Sequence, residues 1–342
     1  MILSSIWRSN FFIRLRSWEY WPFQIVYLPV IIYWIFLSIR ARSFFYFSAS
    51  NPFIESGGMI GESKMDILKS LPQSLIPLTE FINVGCYQKE LEEIVEKFHY
   101  PIICKPDVGE RGWQVEKISN KEELVNYHQS VKSDYLIQEC LSEPIELGVF
   151  YYRYPGDRQG NISSIVIKEM LNIVGDGHSS IKELILKNDR AKLQWPVLKE
   201  KFKDKLDVVP NSGEEINLVA IGNHSRGTKF LDGNHLINEK LVEVFTTISN
   251  QIDGFYYGRY DIRVNSIEDL YKGNIKIMEL NGAGSEPAHI YQPGYSLFYA
   301  YKIIFQHWNV LFQISRMNNK KGIPYLSFNE ALAIYKRTKA SK

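Results

Sequence analysis

Hydrophobic positions fall into three kinds of run along this chain. From Tyr20 to Ile39 (YWPFQIVYLPVIIYWIFLSI) nearly every residue is apolar or aromatic, with Gln24 and Ser38 the only polar side chains apart from tyrosines. Tyr87–Phe98 instead spaces Leu91, Ile94, Val95 and Phe98 at the intervals of one helix face. Beyond Pro101 short apolar blocks alternate with polar ones. Tyr100–Cys104, Tyr135–Gln138, Leu147–Tyr154, Ile162–Met170, Phe255–Val264 and Ile275–Leu280 predict strands, and Glu239–Ile252 and Leu297–Ile314 predict helices. Ser119 with Glu122, and Ser180 with Glu183, match the spacing of a capping box at a helix start. Phe44–Phe47 predicts a strand opening a short α/β unit with a Gly-rich loop and two helical stretches. Interleaved strands and helices, with hairpins among them, predict an α+β fold and not a single doubly wound sheet. The expected divisions are a hydrophobic segment over 1–42, the short unit over 43–99, a main domain over 100–316, and a basic, peripheral tail over 317–342.

About 20 apolar residues is the length that crosses a bilayer core. The run is too long for a signal peptide and lacks a small-residue cleavage site, so no cleavable signal peptide is expected. Trp18, Tyr20, Trp21, Tyr33 and Trp34 suit a membrane–water interface. Arg8, Arg14 and Arg16 precede the run and Arg40 and Arg42 follow it, so charge gives no direction across a bilayer. Pro22 and Pro29 each favour a kink. The expectation is a monotopic or re-entrant helix on the cytoplasmic face of the membrane. A true single span and a buried helix of a soluble protein are the alternatives.

Composition narrows the class. The 342 residues carry a formal net charge of +2 with 23% charged positions, which is no basic excess of the kind a nucleic-acid binder needs. Cys86, Cys104 and Cys140 are few, odd in number and far apart, which fits a reducing compartment and no disulfide framework. No zinc-binding spacing occurs.

The densest chemistry lies in Tyr257–Pro287. Glu279 and Asn281 are two apart on one strand and so share a face, as do Arg259 and Asp261 on the strand before it. Two carboxylates and an amide oxygen are hard ligands of the kind magnesium takes beside phosphate oxygens, and an arginine there suits a developing oxyanion. Earlier, Tyr100–Val115 reads as a strand ending in Lys105-Pro106, followed by a loop with Gly109 and Gly112 whose N–H groups suit phosphate. Between them, Leu136–Phe150 is a strand, a short connector and a second strand entered at Glu146.

The order of these three blocks resembles the ATP-grasp superfamily, the D-alanine–D-alanine ligase branch most closely, over Gly61–Pro287. The resemblance implies the ATP-grasp fold, two α/β subdomains gripping ATP. It also implies an ATP- and Mg²⁺- (or Mn²⁺-) dependent ligase that joins a carboxylate to an amine through an acyl phosphate. It places Lys105 and Lys64 on nucleotide phosphates, the adenine hinge at Gln138–Leu141 (Gln138, Glu139 and Leu141 included) and the ribose carboxylate at Glu146. Gly258-Arg259-Tyr260-Asp261 and Glu279-Leu280-Asn281 match the family's Gly-Arg-x-Asp and Glu-x-Asn. The resemblance implies that they supply the oxyanion-stabilising Arg259 and the metal ligands Asp261, Glu279 and Asn281. The substrates implied are small-molecule or peptide-like acids and amines. Nucleic acid is not among the partners, and an oligomer is left open. The loop Gly109-Glu110-Arg111-Gly112 stands where those ligases have a serine pair, and Gly282–Pro287 differs from their substrate cradle, so D-alanine specificity does not transfer. Val174–Leu184 is similar to a lid segment of cyanophycin synthetases.

Two polar loops stay open. Gly222–Thr228, with Arg226, is either a binder of the γ-phosphate or acyl phosphate or a surface loop; Asn51–Lys64 is either an acceptor pocket through Glu55, Gly57 and Glu62 or a plain loop. Rival functions are phosphoryl transfer to a hydroxyl on the same fold, and a nucleotide-binding membrane adaptor without catalysis.

Overall fold

A computed structural model describes residues 9–109, 112–219, 222 and 224–340. Its strands are β1 (Thr79–Ile82), β2 (Ile102–Pro106), β3 (Glu116–Ile118), β4 (Tyr135–Glu139), β5 (Ile145–Tyr152), β6 (Asn161–Glu169), β7 (Asn172–Val174), β8 (Glu215–Asn217), β9 (Lys229–Asp232), β10 (Tyr257–Val264) and β11 (Lys276–Asn281). They build a four-stranded sheet in the order β1-β4-β2-β3, a five-stranded sheet in the order β11-β10-β5-β6-β9 and the pair β7-β8. The described pairings of β1, β2 and β4, and of β5, β10 and β11, are antiparallel. The fold is therefore the mixed, antiparallel α and β class expected, with an apolar helix, Phe23–Ala41, near the N-terminus.

Contacts divide the chain into two compact units. One comprises Met1–Pro29, Lys168–Leu231 and Ile290–Ala300, and the other Val30–Ile167, Asp232–His289 and Tyr301–Lys342. The first has its own core of Leu171, Ile173, Ile181, Ile185, Ala191, Leu198 and Leu218. In the second, the four-stranded sheet packs Ile102, Cys104, Tyr135 and Ile137 beneath Leu91, Leu124 and Tyr127. The face of β5 and β10 that carries Leu147, Val149, Tyr151, Tyr260 and Ile262 packs with Leu241, Phe245 and Ile248 of the helix Glu239–Ser249. β5 and β10 thus put alternate residues against that helix, and β10 keeps Arg259, Asp261 and Arg263 for its other face.

Most predicted elements appear within a few residues of their expected ends, and the differences have local causes. Phe44–Phe47 does not form a strand; Tyr46–Ala49 is a 3₁₀ turn, fully buried, its aromatic rings packed on each other and on Phe312. Without that strand, 43–99 is no separate sheet: β1 joins β4, and the stretch adds helices Lys64–Ser70 and Gln88–Val95. The helix at 121–130 is capped one residue later than expected. Asn120 accepts from the Glu123 N–H at 2.9 Å and Glu123 accepts from the Ser119 N–H at 2.7 Å, because an amide side chain caps as well as a hydroxyl. The capping box at Ser180 and Glu183 forms as expected. Pro22 sits before the first turn of the apolar helix, and Pro29 lies inside a helix that continues past it. Beyond Lys320 the basic tail is more than peripheral. It forms a helix, Phe328–Ala340, whose Ile334 and Thr338 are buried against Gly61.

Candidate functional site

The two main sheets approach each other at one lysine. Lys105 ends the apolar run of β2, buried, and its ammonium donates to Gln138 Oε1 on β4 at 3.0 Å and to the Met278 carbonyl on β11 at 3.1 Å. That carbonyl is available because β10 and β11 slip by one residue. Asp261 pairs with Glu279 but Ile262 pairs with Ile277, leaving Met278 as the extra residue of a bulge. Burial pushes the Lys105 ammonium down to about 8, with the charge of Glu279 the main influence opposing it.

The same register sets the acidic cluster. Asp261 lies opposite Glu279, and Arg259 opposite Asn281; directly opposed side chains have Cβ atoms only ~5 Å apart. Arg259 grips both Asp261 oxygens, Nε to Oδ1 at 2.9 Å and Nη2 to Oδ2 at 3.0 Å. The Asn281 amide reaches Asp261 Oδ2 at 3.4 Å. Among the described residues no group of three or more His, Cys, Asp or Glu could hold a metal. A cation here would take Asp261, Glu279 and the Asn281 oxygen, completed by ligands from outside the protein. That donor set fits a small hard cation.

Two glycines leave the room this cluster occupies. Gly148 on β5 faces Asp261 in register, and a Cβ there would lie 3.1 Å from Asp261 Oδ1, 3.2 Å from Arg259 Cδ and 2.8 Å from Val166. Gly258 opens the Gly-Arg-x-Asp stretch because a Cβ would lie 2.2 Å from the Asn281 carbonyl. The second was in the recognised motif. Gly148 was not, although a glycine inside a strand signals a close approach.

Lys64 begins the helix Lys64–Ser70, and its ammonium donates to the carbonyls of Asp107 at 3.2 Å and Gly109 at 2.6 Å. Asp107 in turn accepts from Ser63 Oγ at 3.0 Å and the Met65 N–H at 2.8 Å, a carboxylate at a helix N-terminus where the dipole favours it. Lys64 and Asp107 together anchor the Gly-rich loop after β2, in which Gly112 turns with φ of 71°. Glu110 and Arg111 lie outside the described residues.

At the hinge, Gln138 is buried and also donates to Thr79 Oγ1 at 3.0 Å. Glu139 is exposed and accepts from the Leu78 N–H at 3.3 Å, and Leu141 is half-buried. Glu146 pairs across β5 and β10 with Arg263 at 2.8 Å, a partner absent from the sequence reading. The loop 51–64 is tied to the cluster by Asn51. Fully buried, it donates to the carbonyls of Gly57 and Tyr257 and accepts from the N–H groups of Tyr256 and Tyr257. Ala283 and Gly284 then donate to the carbonyls of Gly57 and Gly58 at 2.9 and 2.7 Å, docking the loop on the segment after Asn281. Beside it is a cavity of about 390 Å³ lined by Glu55, Gly61, Glu62, Ser63, Asp66 and Arg337 among others.

All of these residues belong to the second unit. Arg226 belongs to the first, in a short 3₁₀ turn, His224–Arg226. In that first unit the His224 ring lies 4.8 Å from the Tyr291 ring, tilted to it, and 3.2 Å from Glu19, which also binds Arg190 at 2.5 Å. Burial lowers the His224 pKa to about 4.

No family model matches the chain, and no curated protein matches it. Solved structures similar to it include a D-alanine–D-alanine ligase from Bacillus anthracis, with 13% identity and a TM-score of 0.43 over 76% of this chain and 69% of that one. A D-Ala:D-Ser ligase from Enterococcus faecalis is similar with 13% identity and a TM-score of 0.43, covering 75% and 62% of the two chains. A bifunctional glutathione synthetase from Pasteurella multocida has 17% identity and a TM-score of 0.36, with 71% of this chain matching 36% of that one. At these scores the likenesses assign no role to any residue of this chain.

Proposed function

We propose that this chain is an ATP- and magnesium-dependent ligase that activates a carboxylate as its acyl phosphate and passes the acyl group to an amine. One observation carries the reading. Asp261 and Glu279 face each other across β10 and β11, with Arg259 and Asn281 beside them and the Lys105 ammonium bound one residue away, at Met278. Such a group of charges suits a reaction in which negative oxygen develops twice, first at the transferred phosphoryl group and then at the carbonyl.

In this reading magnesium supplies charge neutralisation at the phosphate oxygens, held by Asp261, Glu279 and Asn281. Lys105 and Lys64 bind phosphate oxygens, and the N–H groups of Gly109 and Gly112 cover them. Gln138, Glu139 and Leu141 border the base, and Glu146, oriented by Arg263, accepts from ribose hydroxyls. Arg259 is clamped by both Asp261 oxygens. When those oxygens are shared, its N–H donors become available to the tetrahedral oxyanion formed as the amine attacks. Phosphate then leaves, and no side-chain nucleophile is needed. Arg226 is assigned to the γ-phosphate or acyl phosphate on sequence grounds alone.

Incubation with ATP, candidate acids and hydroxylamine tests the reaction: an acyl hydroxamate with stoichiometric ADP is expected. ATP consumption without hydroxamate, with phosphate found on a hydroxyl, would replace the reading by phosphoryl transfer. D-alanyl-D-alanine should form poorly from D-alanine and ATP, because the 109–112 loop and the segment after Asn281 differ from those of ligases that make it. Efficient dipeptide synthesis would restore that specificity.

Lys105 gives a pH-dependent expectation. Its folded value of about 8 lies below its ordinary 10.5, so the unfolded chain holds more protons between those values. Stability without nucleotide therefore rises as pH climbs through that window. A phosphate beside the ammonium restores the charged form, so ATP binding near pH 8 should take up protons. Calorimetry in buffers of different ionisation enthalpy should show this uptake, and Lys105→Met should abolish it. Loss of a charged hydrogen bond, ~1.5–3 kcal/mol, should weaken ATP binding at least ~10-fold. Unchanged affinity and unchanged uptake would remove Lys105 from the phosphate site.

A further inference from the structure

From Val30 onward the Phe23–Ala41 helix has two apolar sides. One is packed into the second unit. Val30 and Leu37 are buried, the Tyr33 ring lies 4.8 Å from Phe305, and the Arg40 guanidinium stacks 5.2 Å from the Phe312 ring. The other side faces outward, with Ile32 61%, Phe36 51% and Ile39 69% exposed. Those positions recur every three or four residues and so form one stripe. A soluble surface helix presents polar residues outward, whereas this one presents isoleucine and phenylalanine. A spanning helix meets lipid or other membrane helices around its circumference, and here one side is held within a core that includes Tyr46, Phe150, Tyr257 and Ile314.

The stripe is continued by other exposed aromatics of the same unit. Phe44 is 58% exposed with its ring 5.8 Å from Trp34, and the neighbouring Phe45 ring lies 6.4 Å from Phe328. Phe328 is itself 70% exposed and starts the last helix, which also exposes Leu332 and Tyr335 one and two turns on. Charge is distributed to match. Residues 1–49 carry a formal +4 and residues 297–342 a formal +7, while 50–296 carry −9. In the second unit Arg40, Arg42, Lys302, Lys320, Lys336 and Lys339 are exposed on these elements.

We propose that the outward face of the Phe23–Ala41 helix from Val30 onward, continued by Phe44 and the Phe328–Leu332–Tyr335 stripe, lies in the plane of an anionic lipid bilayer. Its isoleucines and phenylalanines enter the acyl boundary, and the arginines and lysines meet the headgroups. Pairing with a second copy through this face would instead set two strongly basic segments against each other. The proposal does not rest on the ligase reading, and its test needs no substrate.

Purified full-length chain should sediment with vesicles of equal parts phosphatidylglycerol and phosphatidylcholine and bind much less to phosphatidylcholine alone. Salt added after binding should release only a fraction, since the inserted face is not screened. Ile32→Glu with Ile39→Glu should lower partitioning at least ~10-fold with an unchanged circular dichroism spectrum. Phe328→Glu, on a different helix, should lower it as well, so a folding failure in one variant cannot carry the result. A cysteine at Ser4 should label from the same side of the cell membrane as a cysteine placed on the exposed surface of the second unit. Three outcomes overturn the proposal: recovery of the chain in the supernatant with both vesicle types, a dimer that the Ile32 and Ile39 variants split, or Ser4→Cys labelling from the side of the membrane opposite the second unit.

Discussion

Asp261→Asn and Glu279→Gln, made separately, are each expected to lower ATP turnover at least ~100-fold, the scale on which losing one group that stabilises developing charge acts. The two variants should differ in stability. Asp261 is buried and holds the Arg259 guanidinium with both oxygens, so its replacement leaves a half-buried cation with a weaker partner. A loss of about 1–3 kcal/mol is expected. Glu279 makes no such clamp, and Glu279→Gln should melt close to the parent. Denaturant titration beside steady-state turnover over a range of magnesium concentrations separates the effects. High magnesium should partly rescue Glu279→Gln, since weakened cation binding is then offset by mass action. Near-normal turnover with an unchanged magnesium optimum in both variants would remove the pair from the site.

How much of this site was readable beforehand depended on whether a residue's role is fixed by its neighbours in sequence. Glu279 and Asn281 share a face because a strand alternates, and Arg259 and Asp261 do so for the same reason. Whether the two pairs meet depends on the two strands pairing, and β10 and β11 do pair, with Asp261 opposite Glu279 and Arg259 opposite Asn281. Partners far apart in sequence were not readable. Nothing local to Glu146 announces Arg263, 117 positions away, nor does Asn51 announce its bonds to Tyr256 and Tyr257. The bulge that frees the Met278 carbonyl for Lys105 is likewise a property of two strands together. Phe44–Phe47 shows the converse failure. An aromatic run has high strand propensity, but here Tyr46–Ala49 is a buried turn whose rings pack on each other and on Phe312. In the tail helix Phe328–Ala340 the residues with described burial that turn inward are Ile334 and Thr338, one of them polar, which leaves little apolar periodicity to read.

Gly148→Ala is expected to cost both stability and activity, although no side chain is removed. The added methyl would stand 2.8 Å from Val166 Cγ1, 3.1 Å from Asp261 Oδ1 and 3.2 Å from Arg259 Cδ. Two of these neighbours are the clamped ion pair, and Val166 is fully buried, so the strain has no solvent side into which to relax. Overpacking of this kind costs about 1–3 kcal/mol. Activity should fall further than stability implies, because the Asp261 carboxylate is pushed from its place opposite Glu279, and misplacing a reacting group by ~1 Å can cost ~100-fold. The double variant Gly148→Ala with Val166→Ala distinguishes the two effects. Removing the valine methyls gives the new Cβ room on one side and should recover much of the melting temperature, while the contact with Asp261 persists and turnover stays low. Recovery of turnover in step with stability would mean that Gly148 serves only the packing of β5, and that Asp261 can move without consequence for catalysis.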